Sequence, residues 1–169
     1  MHYPFARAYQ LSGELTKAAK KMVREKDASA LDWHFATGGL SGKLEEIRKR
    51  EYRGEAGNLL LRPLLLRPAA SDQDGRSWEV VERIIRIFQS EKEWSEKRNK
   101  VKALREALRG GPAAVTTFRG AFGIAKLPQV VAGQTDFETT GWQGGQCGYF
   151  DAVEMADHHL HLDLVEGAA

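Results

Sequence analysis

Apolar residues recur at helical spacing in three stretches of the chain before Pro112. Between about Phe5 and Lys26, apolar positions spaced three or four apart alternate with lysine and arginine, which predicts an amphipathic helix. A second helix is predicted from about Ser41, which can cap it, to Glu55, because Gly57 then stops the pattern.

The strongest helical pattern begins at Ser77, a candidate N-cap. The apolar stripe that follows comprises Val81, Ile84, Ile85 and Phe88. In the polar stretch "SEKEWSEKRNK" only Trp94 is apolar, and the stripe then resumes with Val101, Leu104 and Leu108. Residues 77–109 therefore form either one long helix or two helices that meet at a polar turn, and the sequence "GGP" ends the pattern.

After Pro112 the helical period disappears and glycine becomes frequent. Four segments, "AAVTTF", "PQVVAG", "CGYF" and "HLHLDLV", have the composition of short strands separated by turns. Earlier, "NLLLRPLLLRP" predicts an extended connector or edge strand, because its two prolines forbid a regular helix.

These patterns predict an α+β protein. A basic, mainly helical N-terminal region of about three to five helices covers 1–109, and an acidic, small β-rich C-terminal region covers 110–169. Whether the two regions form one compact domain stays open at this point.

Composition is typical of a folded globular chain, with 42% hydrophobic and 28% charged residues. The start of the chain lacks the pattern of a secretory signal, and no apolar run is long enough to span a membrane. We therefore expect a cytoplasmic protein without a membrane partner. The single cysteine, Cys147, excludes an internal disulfide and an all-cysteine zinc site.

The net charge of +2 conceals a division between the two ends of the chain. Residues 1–109 carry 23 Lys and Arg against 16 Asp and Glu, whereas residues 127–169 carry seven acids and no Lys or Arg. This division favours a polyanionic partner for the basic part. The alternative is that the two parts attract each other within the fold.

Three basic helical segments are candidates for phosphate contacts. Basic helical faces of this kind can neutralise nucleic-acid phosphates without reading bases. The candidate residues are Lys17, Lys20, Lys21, Arg24, Lys49, Arg53, Arg98, Lys100, Lys102 and Arg105.

A different kind of site is indicated by "DHHLHLDL" near the end of the chain. If this segment is a strand, its leucines and His158 lie on one face, and the opposite face carries Asp157, His159, His161 and Asp163. Two imidazoles and a carboxylate on that face could hold a transition metal, or a histidine could ligate haem. The alternative is an ordinary polar strand face.

No Ser/His/Asp or Cys/His arrangement and no phosphate loop is recognisable. We therefore expect a non-enzymatic binding or assembly subunit that contacts nucleic acid or a nucleoprotein through its basic helices. A metal- or haem-binding protein is the second hypothesis. A protein that binds and inhibits another protein is the third.

Overall fold

The computed structural model describes residues 5–25, 27–36, 42–67, 75–94 and 98–160. The helices within these ranges are α1 (Phe5–Met22), α2 (Leu44–Glu51), α3 (Trp78–Ser90), α4 (Arg98–Arg109), α5 (Gly111–Phe122), α6 (Thr135–Thr140) and α7 (Phe150–Met155). The strands are β1 (Ala30–Leu31), β2 (Arg53–Gly54), β3 (Gly57–Asn58), β4 (Leu64–Leu65), β5 (Trp142–Gln143) and β6 (Gln146–Cys147). The predicted α+β class is confirmed, with helices that lie mostly in the N-terminal part and only small sheets.

Two small sheets contain these strands. Strands β1 and β4 pair antiparallel, and a four-stranded sheet has the order β2-β3-β6-β5. The parallel pairing of β3 with β6, at Asn58 and Gln146, joins the basic part of the chain to the acidic part. Gly57, with a φ of +135°, makes this pairing possible because an added Cβ would lie 2.0 Å from the Gly145 carbonyl oxygen.

Helix α3 follows the predicted pattern. The Ser77 hydroxyl accepts a hydrogen bond from the Val80 amide at 3.3 Å, which caps the helix, and the predicted stripe is buried. The stripe packs on α7 and on the leucine segment 59–65, whose residues are also almost fully buried apart from Pro63. The core therefore lies between α3, α4, α7 and this extended segment.

Residues 77–109 form two helices rather than one. Helix α3 ends at Ser90, and the amide of Trp94 donates to the Glu91 carbonyl at 2.8 Å in the turn that follows. This turn brings the Trp94 ring into the core, where it lies 4.8 Å from the ring of Phe88, centroid to centroid. Burial of the one large apolar side chain in a polar stretch thus favours the turn over a continuous helix.

The segment "AAVTTF" is helical, and the strand predicted there is wrong. Pro112 occupies the first turn of α5, where its missing N–H is not needed. The hydroxyls of Thr116 and Thr117 donate to carbonyls four residues earlier, at 3.0 and 3.1 Å, while Val115 and Phe118 are buried. Tertiary packing on α4 therefore overrides the β-preference of threonine and valine.

The other predicted strands are corrected in part. Residues 128–133 form no strand, with bends at 130–131 and a turn at 132–133. In "CGYF" only Cys147 lies in a strand, since α7 begins at Phe150. Conversely, β1 to β4 precede Pro112, where few strands were expected. None of the described helices is both long enough and apolar enough to cross a bilayer.

Candidate nucleic-acid interface

Helices α1 and α2 enclose an open groove of about 730 Å³ whose rim is basic. Its apolar floor comes from Ala18, Leu44 and Leu60. The basic residues that line it are Lys17, Lys43, Arg48, Lys49, Arg53 and Arg62, and the acidic ones are Glu14 and Glu45.

Two hydrogen bonds join α1 to the start of α2, and one of them runs from the Arg7 guanidinium to the Gly42 carbonyl. The Glu14 carboxylate on α1 accepts from the backbone amide of Leu44 at 2.6 Å, and this amide is one of the unpaired donors at the start of α2. Leu44 and Ile47 are buried beneath the contact, so that face of α2 is held toward the core. The outward faces of α1 and α2 therefore present their cations to the same space.

Two of the six basic side chains are neutralised within the fold. Arg48 forms a two-pronged ion pair with Asp32, with N–O distances of 3.0 and 2.6 Å. Arg62 pairs with Asp151 and Glu154. The groove's usable positive charge therefore lies on the remaining four side chains.

Those four cations differ in whether an acidic side chain pairs with them. Lys49 pairs with Glu45 at 2.9 Å, but both side chains are largely exposed, and such pairs contribute little. The bond from Lys49 also holds the pKa of Glu45 below its ordinary value. Lys17, Lys43 and Arg53 make no ion pair with any residue that the structure describes. The rim is consequently positive.

The structure brings together three of the predicted phosphate-contacting residues, Lys17, Lys49 and Arg53. Lys20, Lys21 and Arg24 are exposed on or just after α1, outside the groove itself. Lys43 was not among the predicted residues. Because it follows the predicted cap Ser41 by two positions, the sequence could have placed it at the start of α2.

The predicted α4 residues do not join this groove. Lys102 and Arg105 line a separate cleft of about 450 Å³, which also contains Glu106 and Asp157. Lys100 is only 3% exposed; its ammonium donates to the Glu93 carbonyl at 2.9 Å and lies 4.9 Å from the Trp94 ring centre. Lys100 is therefore removed from the exposed basic face, and the side chain of Arg98 lies outside the described part of the chain.

The C-terminal histidines do not begin a strand. The amides of His158 and His159 both donate to the Met155 carbonyl, at 2.8 and 2.9 Å, so the chain turns after α7. The expected alternation is also wrong at Leu160, which is 83% exposed instead of facing the core. Carbonyl groups in the last turn of a helix lack partners within the helix, and the Met155 carbonyl accepts these two amides, which explains the turn. His161 and Asp163 lie outside the described residues.

His159 packs against α3. Its ring centre lies 5.7 Å from that of Trp78, and its Nε2 lies 3.8 Å from a Glu82 carboxylate oxygen. Its carbonyl accepts from the Gln89 amide at 2.9 Å. Among the described residues no three His, Cys, Asp or Glu side chains are grouped as metal ligands, so the metal or haem site stays a prediction that depends on His161 and Asp163.

Beneath the groove lies a buried ionic cluster centred on Arg62. One guanidinium nitrogen lies 3.0 Å from Asp151 and 2.7 Å from Glu154, and Glu154 also accepts the Tyr52 hydroxyl at 2.8 Å. The guanidinium carbon lies 4.8 Å from the ring centre of Trp33. Asp151 further accepts the amides of Leu61 and Arg62 at 2.6 and 3.0 Å, which fixes the extended segment to α7.

Burial shifts the pKa values in this cluster. It raises the pKa of Tyr52 to about 12, and the neighbouring Glu154 charge acts in the same direction. Burial also raises the pKa of Asp151, while Arg62 and the two backbone N–H donors oppose the rise. Sequence reasoning missed this cluster, although an arginine inside a run of six leucines, "LLLRPLLL", signals a buried cation that needs an acidic partner.

No family model, curated protein or solved structure matches this chain.

Proposed function

We propose that the protein is a non-enzymatic binding or assembly subunit that contacts nucleic acid, free or within a nucleoprotein, through the basic groove between α1 and α2. The observation that carries the proposal is the convergence of Lys17 with Lys43, Lys49 and Arg53 on one open groove. Cations from separate elements that share a surface can contact successive phosphates and release their counterions.

The surface extends beyond the groove along α1. From Lys17 to Arg24 the helix and its continuation add Lys20 and Lys21, over a length of about 10 Å at the helical rise. A small anion would need only one or two of these cations. An extended row of them is better matched by a polymer of phosphates than by a single phosphate group.

The alternative, that the acidic part of the chain neutralises the basic part, holds only locally. Asp151 and Glu154 pair with Arg62. The α1 cations make no ion pair with any of the acids in the described ranges. Their charge therefore remains available to a partner.

Thiol chemistry at Cys147 is disfavoured in the folded protein. This side chain is fully buried in β6, and burial raises the pKa of its thiol to about 12. The thiolate, which is the nucleophile, is then scarce at neutral pH.

The proposal is tested by neutralising two groove cations. In the variant Lys17→Gln with Lys49→Gln, we expect weaker binding to a fluorescein-labelled oligonucleotide in an anisotropy titration. For a single strand the slope of log affinity against log salt should become shallower by about 1.4, because each lost phosphate contact removes about 0.7.

The matched control changes two exposed cations outside the groove, Arg67→Gln with Lys92→Gln, which alters the net charge equally. We expect this control to bind like the unchanged protein. Equal loss of binding in both double variants would show that only net charge matters, and it would overturn the groove as the site.

A further inference from the structure

Helix α1 carries two aromatic rings that are turned to solvent. Phe5 is 83% exposed and Tyr9 is 73% exposed, and their ring centres lie 6.4 Å apart with planes inclined by 24°. Scattered exposed apolar residues need no explanation, but two adjacent rings one helical turn apart form a platform. We call Phe5 and Tyr9 the aromatic pair.

Tyr9 of the aromatic pair lies in the same row of α1 as Lys20. The buried residue Leu11 marks the inner face of the helix. Lys20 follows Tyr9 by eleven residues, which is three turns, and so stands in the same row about 16 Å further along the axis. Gly13, which lies between them, adds no side chain to this row. Tyr9 and Lys20 thus follow one another along one ridge, and Lys17 lies about 60° around the helix axis from Lys20, on the side of the groove.

From this juxtaposition we infer that the nucleic acid bound by this protein is single-stranded, with unpaired bases stacked on Phe5 and Tyr9 and the backbone directed along Lys17 and Lys20. The inference rests on the proposed function and specifies its substrate class. Proteins that bind single strands without sequence preference combine a positive track with aromatic side chains on which bases stack. A duplex hides its base faces, so it can use the cations but not the rings.

An anionic membrane surface is the competing partner for cations and rings together. A helix that lies in a membrane interface needs a wide apolar face opposite its basic face. In α1 the apolar face is turned toward the protein, through Leu11 and the half-buried Leu15 and Met22. Only two rings remain outside, near the N-terminal end of the helix, so α1 lacks the wide outward apolar face that a membrane interface requires, which favours stacked bases.

The test compares a labelled twelve-nucleotide single strand of mixed sequence with the same sequence as a duplex, at one salt concentration. We expect the single strand to bind at least tenfold more tightly. The variant Phe5→Leu with Tyr9→Leu should lose tenfold or more of the single-strand affinity and leave duplex affinity unchanged, because the cations remain. Its salt slope should equal that of the unchanged protein.

Two control variants and a circular dichroism measurement distinguish the loss of base stacking from a loss of folding. Tyr9→Phe keeps a ring and should retain binding, and Phe122→Leu removes a partly exposed ring from α5 without effect. Helical circular dichroism should be the same in all variants, since leucine is a good helix former.

Equal affinity for single strand and duplex, or full binding by the double leucine variant, would overturn the single-strand inference and leave the groove proposal standing. Failure to bind either oligonucleotide at low salt would overturn both. Binding to phosphatidylserine vesicles that requires the aromatic pair, without oligonucleotide binding, would assign the ridge to a membrane instead.

Discussion

Arg62 and Asp151 form an ion pair that is closed to solvent on both sides, with a guanidinium nitrogen 3.0 Å from a carboxylate oxygen and neither side chain exposed. The pair connects the leucine segment to α7, and it lies beneath the basic groove. This buried ion pair therefore stabilises the part of the molecule that carries the proposed interface.

Removal of one member of this pair should be strongly destabilising. For Asp151→Ala we expect a loss of about 3–5 kcal/mol in the free energy of unfolding, because two backbone amides lose their acceptor and the buried guanidinium keeps only Glu154 of its two carboxylate partners. Urea titration followed by circular dichroism measures this loss. The matched control, Glu45→Ala, breaks the exposed pair with Lys49 and should change stability by less than about 1 kcal/mol. Similar losses in both variants would contradict the structural role of the cluster.

His34 should make the protein less stable in mild acid. Burial lowers the pKa of this histidine, and the nearby charges of Arg62 and Arg48 lower it further. In the unfolded chain the imidazole takes up a proton near about pH 6.5, but in the folded chain it does so only at lower pH. Its contribution is therefore present above that pH and is lost as the pH falls from about 6.5 toward the folded pKa.

Thermal unfolding at pH 7.5 and at pH 5.5 measures this effect. We expect the drop in melting temperature between the two values to be smaller in His34→Gln than in the unchanged protein. An unchanged or larger drop in the variant would show that other groups cause the acid sensitivity.

Cys147 should be inert in the folded protein. The side chain is completely buried, and the pKa of its thiol is raised to about 12, so both access and thiolate are lacking at pH 8. Ellman's reagent should react with one thiol per chain in denaturant and with almost none before unfolding. Rapid reaction under native conditions would contradict the placement of β6.

Gly13→Ala should stabilise the protein by about 1 kcal/mol, since glycine inside a helix is that much less favourable than alanine. An added Cβ meets no atom within 4 Å at Gly13. Gly141 is the contrasting position, because its φ is +78° and a Cβ there would lie 2.8 Å from a methyl carbon of Leu108. Gly141→Ala should therefore lower the melting temperature, whereas Gly13→Ala should raise it.

Sequence patterns predicted those elements in which local preference and packing agree. The stripe from Val81 to Phe88 was predicted correctly because helical spacing, the Ser77 cap and burial all coincide. The turn at Trp94 was one of two open alternatives, since only tertiary contact with Phe88 distinguishes it from a continuous helix. Residues 113–118 were predicted incorrectly because packing on α4 overrides their β-type composition.

The candidate site was predictable as charge but not as geometry. The sequence identified Lys17, Lys49 and Arg53 as basic, whereas their convergence depends on the distant contact from Glu14 to the amide of Leu44. No periodicity reveals a contact across 30 positions. For the same reason, Lys100 could not be distinguished from its exposed neighbours before Trp94 was seen beside it.

The central claim, that the basic groove binds nucleic acid through its phosphates, is tested most directly by the salt dependence of binding by the unchanged protein. Anisotropy titrations of a labelled single-stranded oligonucleotide between 50 and 200 mM salt give the slope of log affinity against log salt. Four phosphate contacts, one for each groove cation without a buried partner, predict a slope of about −3 for a single strand. A slope near zero, or no binding at 50 mM salt, would contradict the account.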